Sequence, residues 1–266
     1  MTPNGASRDS FISISGLNVT YDGRTPAVED LEMMVEQGDF VAVLGPSGCG
    51  KSTLLHVMAG LLDPVAGRIE IGGRQIRGGD EAAPAVGYVF QDHRLLPWRT
   101  VEQNIRLVLQ SAHVPKAEQD ERIDEYLRML RIEEFRTAWP MKLSGGQRQR
   151  VSIARALALQ PGVVLMDEPF STLDEVTARL MRQQLAELWD RHRQTIVFVT
   201  HSIREAVFLS NRIFILTSGP ARVFDIVDVP ISRPRRYEDP SLTELEGRIV
   251  ERVMGVWGYE ETGERG

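Results

Sequence analysis

The chain has 266 residues, 42% of them apolar, and its 31 Lys and Arg against 37 Asp and Glu leave a net charge of −6. That suits one large domain or a core with an inserted subdomain, and the acidic balance argues against a broadly basic nucleic-acid surface. A single cysteine, Cys49, excludes disulfide scaffolds and multi-cysteine zinc sites, and no apolar run approaches the roughly 20 residues that a membrane-spanning helix needs.

The first ten residues are polar and lack an apolar signal core, so a cytosolic location is expected. Phe11-Ile-Ser-Ile-Ser alternates as a half-buried strand does. Phe40-Val-Ala-Val-Leu44 is solidly apolar, the pattern of a central parallel strand covered on both faces. It runs into a glycine-containing loop, after which Ser52 to Gly60 reads as a helix. Arg68 to Ile71 predicts an antiparallel strand turning at Gly72-Gly73, and Val86–Phe90, Val163–Met166 and Thr195–Val199 supply further buried strands. Between about Asp92 and Arg155 the period becomes helical, with Ile123, Leu127 and Leu130 on one face, which predicts a helical insertion in an α/β core. A helix is expected over Gln147–Leu159. Beyond the strand Ile213–Leu216, the segment Pro230 to Pro240 is rich in Pro and Arg and reads as a linker. Leu242, Leu245, Ile249 and Val253 then mark a terminal amphipathic helix, entered through Asp239-Pro240-Ser241. There is no internal repeat, so one nucleotide-binding unit is expected per chain.

Gly45-Pro46-Ser47-Gly48-Cys49-Gly50-Lys51-Ser52-Thr53 sits between a strand and a helix, the context a phosphate-binding loop demands. Its glycines let the backbone wrap a phosphate and aim N–H groups inward. The helix N-terminus adds its positive end. Lys51 supplies a full charge to the β- and γ-phosphates, and the Ser52 hydroxyl can ligate Mg²⁺. In this loop Cys49 reads as a small side chain rather than a catalytic thiol. The strand ending at Met166 presents two acids, Asp167 to hold the Mg²⁺ shell through water and Glu168 to accept a proton from attacking water. Leu143-Ser144-Gly145-Gly146-Gln147 opens a second helix and makes a second anion site. One chain has no need of two such sites for one γ-phosphate, so this loop is expected to close on ATP held by a second copy. Arg148, Arg150 and Arg155 read as surface or phosphate-proximal charges.

This ordered set, completed by a lone His201 after a strand, resembles the nucleotide-binding subunit of an ABC transporter over roughly residues 11–236. The resemblance implies an α/β fold, a RecA-like P-loop NTPase core with an antiparallel β subdomain and an inserted α-helical subdomain at about 92–155, followed by a C-terminal helical tail at 237–266. It also implies that Gln91 contacts Mg²⁺ or the lytic water and that His201 reaches the γ-phosphate. Tyr21 stands where these ATPases place an adenine-stacking aromatic, with a plain core tyrosine as the rival reading. Ser171-Thr172-Leu173-Asp174 matches the loop that crosses the dimer interface, with Thr172 where alanine is usual. The implied cofactors are ATP and Mg²⁺. The implied partners are a second copy of the chain, two transmembrane permease subunits and an extracytoplasmic solute-binding protein, at the cytoplasmic face of the cell membrane.

Within the family, Leu95-Leu96-Pro97-Trp98-Arg99-Thr100-Val101 and Arg233-Pro234-Arg235 are similar to importers of nitrate, taurine and aliphatic sulfonates. The Leu-Leu-Pro-Trp patch would suit a permease's cytoplasmic coupling helix, or its Leu96 and Trp98 would pack the helical insertion. An exporter or lipid-transport ATPase shares every catalytic motif and stands as the alternative. An ABC ATPase acting on nucleic acid or the ribosome is disfavoured, because tandem ATPase units, long coiled-coil insertions and added zinc sites are missing from the sequence.

Overall fold

The computed structural model describes residues 10–20, 24–78 and 86–258, which fall into two compact units. One unit combines the described residues up to Gly78 with those from Val199 onward; the other is the stretch between. In chain order the first unit opens with strands β1 (Ile12–Thr20), β2 (Pro26–Val35) and β3 (Phe40–Leu44), then α1 (Lys51–Met58), β4 (Ala66–Ile71) and β5 (Arg74–Gln75). The second holds β6 (Val86–Val89), α2 (Val101–Ser111), α3 (Lys116–Met129), α4 (Gly145–Leu157), β7 (Val163–Asp167) and α5 (Glu175–His192). The chain returns to the first unit within β8 (Thr195–Thr200), and continues through α6 (Ile203–Leu209), β9 (Arg212–Leu216), β10 (Val223–Asp228) and α7 (Pro240–Met254).

In the first unit β1 pairs antiparallel with both β2 and β4, burying Ile12, Ile14, Leu17 and Val19 on one side. The alternation breaks at Ser15-Gly16, where the register shifts and Gly16 takes φ 55°, a conformation a glycine adopts without penalty. Strand β2 was not foreseen. Its apolar positions, Val28, Leu31, Met33 and Val35, are offset by an irregularity at which Asp30 has φ 46°, so no single period of two runs through it. Strand β3 is buried at every residue and lies parallel to β9, as its unbroken apolar run requires.

The second unit is helical around the parallel pair β6–β7. Ile123, Leu127 and Leu130 are buried, joined by Tyr126. Helix α2 begins with a capping box in which Thr100 and Gln103 satisfy each other's backbone N–H groups. An ion-pair network links Glu102, Arg106, Asp120, Arg136 and Asp124 on its surface, with Arg106–Asp120 and Arg136–Glu102 both at 2.6 Å. The helix expected over Gln147–Leu159 starts two residues earlier and ends at Leu157.

Two expectations from composition are corrected. The segment from Pro230 to Pro240 is not a loose linker, since Arg235 and Tyr237 within it are buried and hydrogen bonds fasten Arg233 and Arg235 to backbone carbonyls. Nor are Arg148, Arg150 and Arg155 simple surface or phosphate-proximal charges. They donate to the carbonyls of Leu143 (2.5 Å), Leu130 (2.8 Å) and Arg94 (2.7 Å), tying α4 to its neighbours. The terminal helix forms as expected: Asp239 caps it through Ser241 N–H at 2.9 Å, and Leu242, Leu245, Ile249 and Val253 are buried. It packs on α6, and Trp257 Nε1 bonds the carbonyl of Leu216 at 2.8 Å.

Candidate active site

The phosphate loop leaves β3 at Gly45, whose N–H donates to Thr200 O at 3.2 Å. A Cβ on Gly45 would lie 2.7 Å from Cys49 Sγ, and Cys49 is itself buried, so two small groups are packed beneath the loop. Gly50 has φ 114°, and a side chain there would collide with the carbonyl oxygen of Ala27. Both conditions require the residues that the sequence supplies. Lys51 is 4% exposed, and its Nζ donates to the carbonyls of Gly45 (3.0 Å) and Pro46 (2.9 Å), which holds the ammonium over the loop. No side chain caps α1, so its amino end keeps an anion-attracting dipole. Ser52 is half-buried in the first turn.

His201 lies in the same unit, exposed at the end of β8. Thr200 Oγ1 donates to Glu205 Oε2 at 2.6 Å and accepts from Ser202 N–H at 3.0 Å. Ser202 Oγ in turn accepts from Glu205 N–H at 3.3 Å, capping α6. Both neighbours of His201 are thereby bound into the first turn of that helix. Tyr21 lies outside the described residues.

The second unit carries the two acids and the other glycine loop. Strand β7 is buried throughout and ends in Asp167, 6% exposed. Glu168 follows, half-buried, with φ 42°, a left-handed conformation that costs a non-glycine residue about 1 kcal/mol or more. Its carbonyl is held by Ser171, through N–H at 3.2 Å and Oγ–H at 3.0 Å. A strained residue retained at the end of a buried strand marks a place where side-chain direction matters more than backbone ease. Asp174 caps α5, accepting from Thr177 N–H at 3.0 Å, and that hydrogen bond holds its carboxyl below the usual carboxylate range.

Ser144 caps α4 in a capping box: Ser144 Oγ accepts from Gln147 N–H at 3.3 Å, and Gln147 Oε1 accepts from Ser144 N–H at 2.8 Å. Gly146 packs so close to α5 that an added Cβ would sit 2.8 Å from Thr177 Cγ2. Gln91 is exposed just after β6. The loop behind it is fastened to α4: His93 Nε2 meets Gly145 O at 3.2 Å, and Arg155 donates to the carbonyls of His93 and Arg94 at 2.9 and 2.7 Å. Burial pushes the Arg155 guanidinium below its ordinary value. Fully buried Asn104 holds the same loop, accepting from Leu96 N–H at 2.8 Å and donating to Leu96, Arg99 and Thr100 carbonyls. Leu95 and Leu96 are half-buried, whereas Trp98 is 67% exposed. The packing expected of both Leu96 and Trp98 holds for Leu96 alone, since Trp98 faces out.

Sequence reasoning missed His93 and Asn104 and misread Arg155. No spacing rule separates an amide that braces a loop from one that faces water. The expected metal ligands Ser52, Gln91 and Asp167 offer hydroxyl, amide and carboxylate oxygens, hard donors that suit Mg²⁺. Among the described residues no group of three or more His, Cys, Asp or Glu is placed to hold a metal ion.

The ABC transporter family profile matches residues 28–171. The chain is 39% identical over 249 residues to the nitrate import ATP-binding protein NrtD of Synechococcus elongatus, covering 91% of this chain and 90% of the relative. It is 41% identical over 231 residues to the aliphatic sulfonates import ATP-binding protein SsuB of Bacillus licheniformis (85% and 87%) and 35% identical over 270 residues to the bicarbonate transport ATP-binding protein CmpD of Synechocystis (98% and 95%). Among solved structures, it resembles the dimeric post-hydrolysis state of the ATP-binding cassette MJ0796 bound to ADP and phosphate, with a TM-score of 0.74 and 32% identity over 83% of this chain and 100% of that one. The mixed α/β architecture, with its antiparallel and parallel sheets, is that of a P-loop NTPase. With its phosphate loop, paired acids and second glycine loop, the chain belongs to the ABC transporter family as one of its ATP-hydrolysing cassettes.

Proposed function

We propose that the chain is the ATPase subunit of an ABC importer for a small anion of the nitrate, sulfonate or taurine type, working as a pair of identical copies beneath two permease subunits at the cytoplasmic face of the membrane. An extracytoplasmic binding protein delivers solute to the permease. Among the described residues no helix is long and apolar enough to cross a membrane, and this reading gives the translocation path to the permease subunits.

Each nucleotide is held by the loop 45–53 of one copy, with Tyr21 against the adenine. Lys51 and the amino end of α1 neutralise the phosphates. Ser52, Gln91 and Asp167 hold Mg²⁺, which supplies charge neutralisation along the phosphates. Glu168 takes a proton from the water that attacks the γ-phosphorus in line, breaking its bond to the β-γ bridging oxygen and leaving ADP and phosphate. His201 orients the γ-phosphate. The loop Ser144–Gln147 of the second copy closes from the other side and excludes water, and Asp174 lies along the same interface.

The observation that supports the transport reading is the fastening of His93 and Arg94 to the helix that begins in the second glycine loop. Bonds to Gly145 and from Arg155 tie His93 and Arg94 to α4, and Asn104 ties Leu96, Arg99 and Thr100 to α2, while Trp98 stays exposed. A cleft of about 590 Å³ beside it is lined by Asp92, His93, Pro97, Met141 and Thr172, and the 80%-exposed Met141 adds apolar surface. A permease helix seated against Trp98 would shift Gln91 and the Ser144 loop together. Site-directed crosslinking tests this: Trp98→Cys should join to a cysteine in a cytoplasmic loop of the permease, and failure across several linker lengths would remove the docking role. Uptake of labelled nitrate, taurine or alkanesulfonate by the reconstituted complex identifies the solute class. Transport in the outward direction only would replace the importer reading with the exporter one.

A further inference from the structure

Helix α6, seven residues long, has an unusual carboxyl end. Val207, Phe208, Leu209 and Ser210 are all buried, so their carbonyls cannot turn to water. Arg235 accounts for three of them, donating from Nη1 to Val207 O (2.8 Å), Phe208 O (3.0 Å) and Ser210 O (2.8 Å). Arg233 Nη2 donates to the fourth, Leu209 O. The same Arg235 side chain reaches Ile231 O at 3.0 Å through Nε and Val229 O at 3.3 Å through Nη2, and is 8% exposed. A guanidinium is suited to this, with five donors in a fixed fork, permanent charge, and the sign a helix carboxyl end prefers. Tyr237, two residues on, stacks on Phe208 at 4.0 Å and 8° between planes. Arg204, in the first turn of α6, lies 5.3 Å over the same ring. The segment 233–237 therefore grips α6 along its length, and α7 packs behind it.

The other end of α6 carries His201. A seven-residue helix is only about 10 Å long and too short to hold itself together. Thr200, Ser202 and Glu205 bind the residues flanking His201 into its first turn, so the histidine moves as the helix moves. Phe40 adds a second tie, since Asn211, directly after α6, bonds its backbone at both N–H (3.1 Å) and carbonyl (2.6 Å), and β3 from Phe40 ends at the phosphate loop. The height of α6 relative to that strand is fixed from its carboxyl side.

We propose that Arg235, assisted by Arg233, is a positioning residue for ATP hydrolysis, which sets His201 against the γ-phosphate by closing the far end of α6. The proposal rests on the assignment of His201 to the γ-phosphate. It gives the Arg-Pro-Arg segment, which the phosphate chemistry leaves unused, a task at the reaction centre.

The test measures the purified full chain with Mg²⁺ and ATP, taking nucleotide affinity separately from single-turnover hydrolysis so that slow rates are counted. Arg235→Lys keeps the charge but offers three donors from one point, and is chosen because Arg235→Ala risks unfolding. It should keep ATP affinity within about twofold and slow hydrolysis by about tenfold to a hundredfold, the size expected of a displaced reacting geometry. In a His201→Ala background the same change should add no further loss. Amide exchange in residues 203–206 should quicken, although Arg235 bonds only the carbonyls that follow them in α6. A wild-type hydrolysis rate for Arg235→Lys overturns the proposal. So does an equal loss of affinity and rate, or a full second loss on top of His201→Ala. If His201→Ala alone hydrolyses normally, the histidine assignment fails first and the proposal falls with it. An impaired His201→Ala with an additive Arg235→Lys effect sinks the proposal alone.

Discussion

The two glycine loops of this cassette stand at the amino ends of helices, but one is finished by its own side chains and the other is not. At the second loop, Ser144 and Gln147 exchange hydrogen bonds and complete the first turn of α4 internally. At the phosphate loop Gly50 occupies the cap position with φ 114° and no side chain closes the turn, while Lys51 waits on the carbonyls of Gly45 and Pro46. On the proposed reading the first loop is completed by a bound anion, and the second, already capped, has only to be brought up to one. That division suits a reaction in which a nucleotide is captured by one chain and then enclosed by another.

The largest effect is expected at the proposed proton acceptor. Glu168→Gln should slow hydrolysis by about a hundredfold or more while ATP still binds, trapping paired chains that size-exclusion chromatography will detect. Normal turnover by that variant would take Glu168 out of the proton-accepting role. Lys51→Ala should weaken ATP binding by roughly tenfold to a hundredfold, the range for losing a charged hydrogen-bonding partner, and calorimetry on the isolated chain reads it directly. Ser144→Ala separates the loops. It should cost about 1 kcal/mol in thermal stability, the usual value of a lost cap, leave nucleotide affinity of the single chain unchanged, and lower turnover only at concentrations where chains pair. Weakened affinity at low protein concentration would mean the second loop serves its own chain.

The smallest effect concerns α2 and α3, which pack against the helix that the second loop opens. The hydrogen bond from Arg136, then that from Arg106, hold the Glu102 carboxyl below its usual range. Its ion pairs therefore contribute fully at neutral pH and are lost as pH falls through the lowered folded-state value. Glu102→Gln should flatten the acid limb of the stability curve, by less than about 1 kcal/mol because these groups are partly exposed. An unchanged acid limb would show that the network is ornamental.

The local structure that carries the expected site residues was legible in the sequence, because phosphate chemistry constrains residue type at close spacing. The strand, loop and helix around Gly45, Gly50, Lys51 and Ser52 form where expected, and buried β7 ends at Asp167, next to Glu168. The chain elements that bind backbone rather than substrate were not legible. Asn104 looks like any polar residue on an amphipathic helix. Arg155 and Arg235 look like solvated charge until the carbonyls they serve are in view. Strand β2 was hidden by its irregularity at Asp30, and the segment from Pro230 to Pro240 was misjudged because its composition, rich in Pro and Arg, is that of a spacer. Sequence patterns report what a residue repeats with along the chain, and none of these contacts repeats.

Cys49 has a practical consequence. The only sulfhydryl in the chain is 1% exposed, shielded beneath the backbone of the phosphate loop. Maleimide or spin-label reagents will therefore find almost nothing to modify in the native protein. A thiol introduced on the outer surface becomes a unique attachment point without first stripping the background, and distances within the proposed pair can then be measured with and without nucleotide.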